Sequence, residues 1–331
     1  MNQVGIDISN EVFDATMKHS SGLVRKQFSN TKTGHRQFIR WALYQARSAR
    51  ICLEATGIYH LQLALTLDRH PDVEVMIVNP CAARRFAQAH MVRAKTDAVD
   101  ADGLLQFIQR MAFQPWSAPR EELLQLQSLA HRVAQLDKEV IRERSRLHAA
   151  RRAGPHTRPV QQDIQAHIAQ LQRRLERMRS RAYRVVNNDP QLADDARIVK
   201  TVPGFAELSA TKLLAELSSL PEDMTPKQWV AHAGLDPRPC ESGSSLRSPR
   251  RISKQGNVRI RRALFMPALV AIQRDANVSA YYEKLLKKGK AKLQAISAVM
   301  RKLLHALWGM LHHRKEWDGE KFYRFNQVKT A

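Results

Sequence analysis

Val4-Gly5-Ile6-Asp7-Ile8 is an apolar run with one carboxylate set into it. It reads as a buried strand, and a carboxylate there is costly unless it is paired or binds a cation. Ile51-Cys52-Leu53-Glu54-Ala55 repeats the pattern. A third acidic signal follows in Lys95-Thr96-Asp97-Ala98-Val99-Asp100-Ala101. Asp97 and Asp100 are three apart and share one face of a helix. Two strand acids plus a helical acidic pair predict a divalent-metal site. Mg²⁺ is the expected ion, being hard and oxygen-seeking. Phosphodiester chemistry commonly places two such ions about 3.5–4 Å apart. Taken singly, Asp7 reads as a turn residue and Asp97 as a helix cap; the four together do not. Asp102 falls at a different angle on the helix and is set aside. An actin-like phosphate loop needs glycine and threonine after the strand acid, whereas Ile8-Ser9-Asn10 follows here.

Outward from these motifs, strand patterns cover 2–9, 12–18, 23–29, 50–54 and 73–78. Helical patterns cover 33–48, 59–70, 80–89 and 98–111. Three strands in meander order, then alternation, predict an α/β domain over 1–117 with helices on the faces of a mixed sheet. Residues 118–190 read as a helical arm. Leu126, Leu129, Val133, Leu136, Val140 and Leu147 keep heptad spacing, with Glu143 at an expected apolar position. After the break Ala153-Gly154-Pro155-His156-Thr157-Arg158-Pro159, the spacing resumes from Ile164 through Val185. An antiparallel hairpin, a coiled coil with another subunit, or both would satisfy it. Residues 191–331 read as a mainly helical second domain. Within it, Val202-Pro203-Gly204-Phe205 before the Leu208–Leu217 helix resembles a helix-hairpin-helix, with Ala206 replacing the usual second glycine.

With 54 Lys and Arg against 31 Asp and Glu, the net charge of +23 points to a polyanionic partner. Nucleic acid is the usual one. No stretch approaches the ~18 apolar residues of a membrane span. Met1-Asn2-Gln3 enters a strand without a basic-then-apolar leader. Cys52, Cys81 and Cys240 fit no zinc spacing and read as buried thiols in a reducing cytoplasm.

A second site is predicted where charge is densest: Arg238, Arg247, Arg250, Arg251, Lys254, Arg259, Arg261 and Arg262. Embedded among them is the loop Glu241-Ser242-Gly243-Ser244-Ser245. Small hydroxyl residues beside glycine, flanked by arginines, suit a phosphate. No base is fixed beside the serines by spacing.

Together with Glu54-Ala55-Thr56-Gly57, Asn79-Pro80, Pro203-Gly204 and Ala233-Gly234-Leu235-Asp236-Pro237, these motifs resemble the DEDD transposases of insertion sequences. Those enzymes are relatives of the Piv DNA invertases, and the bridge-RNA-guided recombinases are the nearest group. The resemblance runs from Gly5 to about Leu307. It implies a RuvC/RNase H-like first domain, a coiled-coil arm for assembly and a C-terminal transposase domain. It implies Mg²⁺ on Asp7, Glu54, Asp97 and Asp100. It makes Ser242 the nucleophile of a covalent 5′-phosphoserine link, with the acids and the serine drawn from different subunits. It implies double-stranded donor and target DNA, a structured bridge RNA, and homodimers assembling to tetramers at a bacterial nucleoid, with no membrane. A metal-dependent junction nuclease, a protein-only invertase and a non-catalytic binding protein are the alternatives. The last leaves four acids on apolar elements without a purpose.

Overall fold

The computed structural model describes residues 1–19, 22–55, 57–89, 97–238, 241–242, 246–247 and 251–325. The chain divides into two compact units, Met1–Ala118 and Pro119–Ala331.

The first unit is a five-stranded sheet among the described residues, in the order β3-β2-β1-β4-β5. β1 (Asn2–Ile8), β2 (Val12–His19) and β3 (Gly22–Ser29) form an antiparallel meander, while β4 (Ala49–Glu54) and β5 (Val73–Val78) extend it in parallel from β1. Side chains alternate along each strand, so the sheet has two chemically distinct faces. Val4, Ile6, Ile51, Leu53 and Val75 pack with Phe38 of α1 (Lys32–Ala42) and Leu63 and Leu67 of α2 (Tyr59–Asp68). On the other face, Cys52, Met76 and Val78 pack with Leu104, Leu105 and Ile108 of α4 (Asp97–Arg110). Phe86 of α3 (Pro80–Ala89) meets Phe107 edge-on at 5.0 Å.

α4 crosses β1 at Gly5. A Cβ there would lie 2.2 Å from the Ala101 carbonyl oxygen and 2.3 Å from the Leu105 nitrogen. Backbone therefore touches backbone, and only glycine permits it. The Asp102 carboxylate, on the next residue of α4, accepts from Arg25 of β3, with Nε–Oδ1 at 3.0 Å. Burial works against its charge, yet hydrogen bonds from Arg25 and Thr16 outweigh that and hold its pKa below the ordinary 3.8. Asp102 is a clamp between helix and sheet.

The predicted helix over 33–48 ends early, at Ala42. The Asn2 side chain donates to the carbonyls of Ala42 at 2.8 Å and Tyr44 at 3.1 Å. Those oxygens are satisfied without further helix, and Gln45 turns the chain at φ 59°. Cys52 is buried as expected, but Cys81 is exposed, since its helix α3 buries no residue. Cys240 lies outside the described residues.

In the second unit α5 (Glu121–Ala153) and α6 (Arg158–Asn188) are joined by a tight turn at Pro155–Thr157. They run antiparallel: Thr157 Oγ1 donates to the Ala150 carbonyl at 2.7 Å near the turn, and Arg179 reaches Asp137 at 2.9 Å farther down. Val133, Leu136 and Val140 pack against Leu171 and Leu175. The heptad seam is thus used inside the chain. Glu143, the acid in the seam, is buried and paired with Arg146 at 2.5 Å. α7 (Pro190–Lys200), α8 (Glu207–Leu217), α9 (Pro226–Ala233), α10 (Val258–Arg274), α11 (Ala276–Lys287) and α12 (Lys292–His313) surround a second core that includes Ile198, Leu213, Leu264, Leu303 and Leu307. Gly204 links α7 to α8 at φ 99°, with Pro267 so close that a Cβ would lie 2.5 Å from its carbonyl oxygen. The expected helix-hairpin-helix outline, two helices joined by a tight turn, is present, but Glu207 puts a negative charge in the first turn of α8, which opposes a phosphate there.

Glu216 of α8 ties three elements together. Its oxygens accept from His131 of α5 at 2.6 Å and from Asn257 Nδ2 at 2.6 Å. The Asn257 side-chain oxygen caps α10 by accepting from the Arg259 amide at 2.8 Å. Burial works to raise the Glu216 pKa, but the bonds from His131 and Asn257 prevail and lower it from 4.5.

Two outcomes follow from these contacts. Gly5→Ala should separate α4 from β1 and cost about 2 kcal/mol, read as roughly 30-fold faster hydrogen exchange in β1 and α4 peptides. Because the folded Glu216 has the lower pKa, its contribution is present above about pH 4.5 and is lost as pH falls through the folded value. Glu216→Gln should therefore destabilise the second unit by about 1–3 kcal/mol at pH 7. It should also flatten the acid limb of the stability curve in thermal unfolding from pH 7 to 3.

Candidate active site

Strand register decides which acids share a face. Gly5 pairs with Cys52 in the parallel β1–β4 ladder, and Ile6 with Leu53. Continuing one step sets Asp7 beside Glu54. Both stand on the side of Gly5 and Cys52, the face covered by α4. The rows can be read straight across the sheet. Met76, Cys52, Gly5, Thr16 and Arg25 form the row beneath α4. The next row holds Val78, Glu54, Asp7, Asp14 and Gln27. It is the acidic row, about 6.6 Å farther along the strands. Asp7 and Glu54 are both partly buried. Asp100, also partly buried, immediately precedes Ala101, whose carbonyl lies over Gly5. Asp97 is the first residue of α4, and its side chain lies outside the described set. Lys95, Thr96 and Thr56 lie outside it too.

The donor chemistry of this face suits a hard cation. The acids offer oxygen only. Cys52, the one thiol on this face among the described residues, is buried, and burial pushes it up to about 12, so it stays neutral and is a poor ligand. Among the described residues no group of three or more His, Cys, Asp or Glu is already drawn together tightly enough to hold a metal.

The register adds a residue that motif reading passed over. Asp14 faces Asp7 directly across β1 and β2. Gln27 Nε2 donates to both its oxygens, at 3.1 and 3.3 Å. Like charges placed opposite one another repel, and the Gln27 amide offsets part of that. The signal was available in the hairpin: with Asn10 and Glu11 at its tip, residues equidistant from the bond between them pair.

The serine region is a strand hairpin rather than an open loop. β6 (Pro237–Arg238) pairs with β9 (Arg251–Ile252), and β7 (Glu241–Ser242) with β8 (Leu246–Arg247). Ser242 pairs with Leu246. The base is fastened to the helical core. Ser253 Oγ donates to Asp236 at 2.5 Å, the Asn257 amide to the His232 carbonyl at 2.6 Å, and the Lys254 amide to the Gly234 carbonyl at 3.1 Å. Of the eight basic candidates, Lys254, Arg259 and Arg262 are exposed. Arg261 is partly spent on structure: its Nη1 donates to the Ala233 carbonyl at 2.7 Å, and burial lowers its pKa. The side chains of Arg238, Ser242, Arg247 and Arg251, and the whole of Gly243, Ser244, Ser245 and Arg250, lie outside the described set.

A transposase model of the IS110 DEDD type matches residues 4–151, reaching into α5. A second, for transposases of the IS116/IS110/IS902 family, matches residues 196–283, which include the serine hairpin. A pilin gene-inverting protein of Moraxella bovis is 27% identical over 95% of this chain and 97% of its own. The transposase for insertion sequence element IS1328 of Yersinia enterocolitica is 25% identical over 82% of this chain and 84% of its own. An insertion element IS900 protein of Mycobacterium paratuberculosis is 32% identical over 35% of this chain and 29% of its own. Among the described residues no helix is long and apolar enough to cross a membrane. With both transposase domains in order on one chain, the protein belongs to the IS110-family DEDD transposases and is a DNA transposase/recombinase.

Proposed function

We propose that the chain is an RNA-guided recombinase that cuts and rejoins donor and target DNA. Residues 1–117 form its RuvC-like catalytic domain, 118–190 its assembly arm and 191–331 the domain carrying the nucleophile. The observation that carries most weight is the acidic row, with Asp7 and Glu54 brought into register on the face that α4 covers.

Asp7, Glu54, Asp97 and Asp100 would hold Mg²⁺. A bound Mg²⁺ would polarise the scissile phosphate and offset its charge. The Ser242 oxygen attacks phosphorus and forms a 5′-phosphoserine ester. The bond from phosphorus to the 3′ oxygen breaks, and the serine proton ends on the freed 3′-hydroxyl. Rejoining reverses the exchange with a new 3′-hydroxyl, so no phosphodiester energy is lost. Arg238, Arg247, Arg250, Arg251, Lys254, Arg259, Arg261 and Arg262 are the proposed phosphate contacts, Arg261 with only part of its guanidinium available. Acids and serine act from different subunits, in dimers that pair to tetramers. The net charge of +23 supports binding of both DNA and a structured RNA without base reading by the protein.

The second reading is inversion directed by protein alone. It is favoured by the pilin gene-inverting relatives, which match nearly the whole chain.

Ser242→Ala should abolish the denaturation-resistant protein–DNA adduct while sparing RNA binding; an adduct in that variant removes Ser242 from the chemistry. Asp7→Asn and Asp100→Asn should each lower strand cleavage at least about 100-fold at any Mg²⁺ concentration. Expression with native flanking DNA, followed by sequencing of the co-purified RNA, separates the two readings. One discrete flanking RNA supports guidance, and a Ser242 adduct formed without any RNA supports inversion.

A further inference from the structure

The far end of the α5–α6 hairpin has no part in either site. From Arg142 to Arg158 the chain carries six arginines, Arg142, Arg144, Arg146, Arg151, Arg152 and Arg158, and a single acid, Glu143. All six are exposed, while Glu143 is buried and neutralised by Arg146. None of the other five has an acidic partner among the described residues. Toward the base several basic side chains are matched, Arg179 and Lys212 with Asp137, Arg132 with Glu139, and Arg120 with Asp189, although Arg173, Arg177, Arg181 and Arg184 of α6 have no acidic partner among the described residues. Helix electrostatics explains only part of the pattern. Arg151 and Arg152 suit the negative C-terminal end of α5, but Arg158 opens α6, where a cation is unfavourable.

We propose that this tip is a docking surface for the phosphate backbone of double-stranded DNA. At 100° per residue the α5 arginines point to different sides, so the charge rings the tip. Arg142 to Arg152 spans about 15 Å along the helix, enough for about four phosphates at ~3.4 Å each along a strand. A duplex is favoured over looped or single-stranded RNA because residues 141–174 contain no Phe, Tyr or Trp, leaving only His148, His156 and His167 as rings on which bases could stack. DNA is also the substrate of the enzyme class. The inference rests on that class and on neither Ser242 nor the metal.

The test uses the full chain and a labelled 60-base-pair DNA duplex of arbitrary sequence, with affinity read by anisotropy at 50 and 200 mM salt. Removing three phosphate contacts lowers the salt exponent by about 2.7, which is roughly a 40-fold smaller loss of affinity across that range. Arg151→Gln/Arg152→Gln/Arg158→Gln should show it, and Arg142→Gln/Arg144→Gln should show about 12-fold. The second pair of substitutions leaves both helix ends untouched. A control of equal charge, Arg36→Gln/Arg40→Gln/Arg47→Gln, removes exposed arginines in and after α1, across the sheet from the acidic row, and should change the salt response far less. Equal changes in tip and control variants, no change in either tip variant, or loss confined to an RNA duplex of the same length would each overturn the proposal.

Discussion

The contact of backbone on backbone between α4 and β1 at Gly5 governs the first unit. A side chain at that point would lift the helix from the sheet and tilt Asp100 away from Asp7 and Glu54. The neighbouring residues reinforce the contact from both sides. Asp102 clamps α4 to β2 and β3 through Thr16 and Arg25, and Leu104 and Leu105 seal it to β4 and β5 through Cys52 and Met76. The acids are held at the open ends of buried strands, where charge stays partly solvated. This arrangement limits the desolvation cost that a carboxylate deeper in the sheet would incur.

Much of this architecture was legible from sequence because its signals are local. Strand patterns, clearest in the apolar runs of β1 and β4, marked all five strands, and heptad spacing marked the arm. Glu143 showed where a seam position would need a partner, and Arg146 three residues on supplies it. What escaped notice depends on contacts between residues distant in the chain. The end of α1 is set by Asn2, forty residues earlier. Asp14 joins the acidic row only once the hairpin register is known. Glu216 resembled an ordinary helix residue, yet His131 and Asn257 meet on it from 85 residues before and 41 after. The strands around the serine motif were not legible, because two-residue rungs are too short to leave a pattern.

The second unit solves a different mechanical problem. A short hairpin of two-residue ladders has little stability of its own. Here its base borrows rigidity from the helical core, with Asp236, Gly234 and His232 receiving hydrogen bonds from residues 253–257. Asn257 is the common point, since it closes the hairpin base, caps α10 and engages Glu216. A chain of hydrogen bonds only three residues long, through His131, Glu216 and Asn257, links α5 to the base of the serine hairpin.

The order of elements also has a consequence during translation. The sheet with its acidic row is complete once Ala118 has left the ribosome, and α5 and α6 can zip together as soon as both have emerged. The second core must wait for α12, which brings Val299, Leu303, Leu304 and Leu307. At about 5–20 residues per second, the nascent polypeptide carries a finished acidic face for many seconds before the serine hairpin gains firm footing. Newly made protein thus acquires its two halves in a set temporal sequence, with the half bearing the serine last.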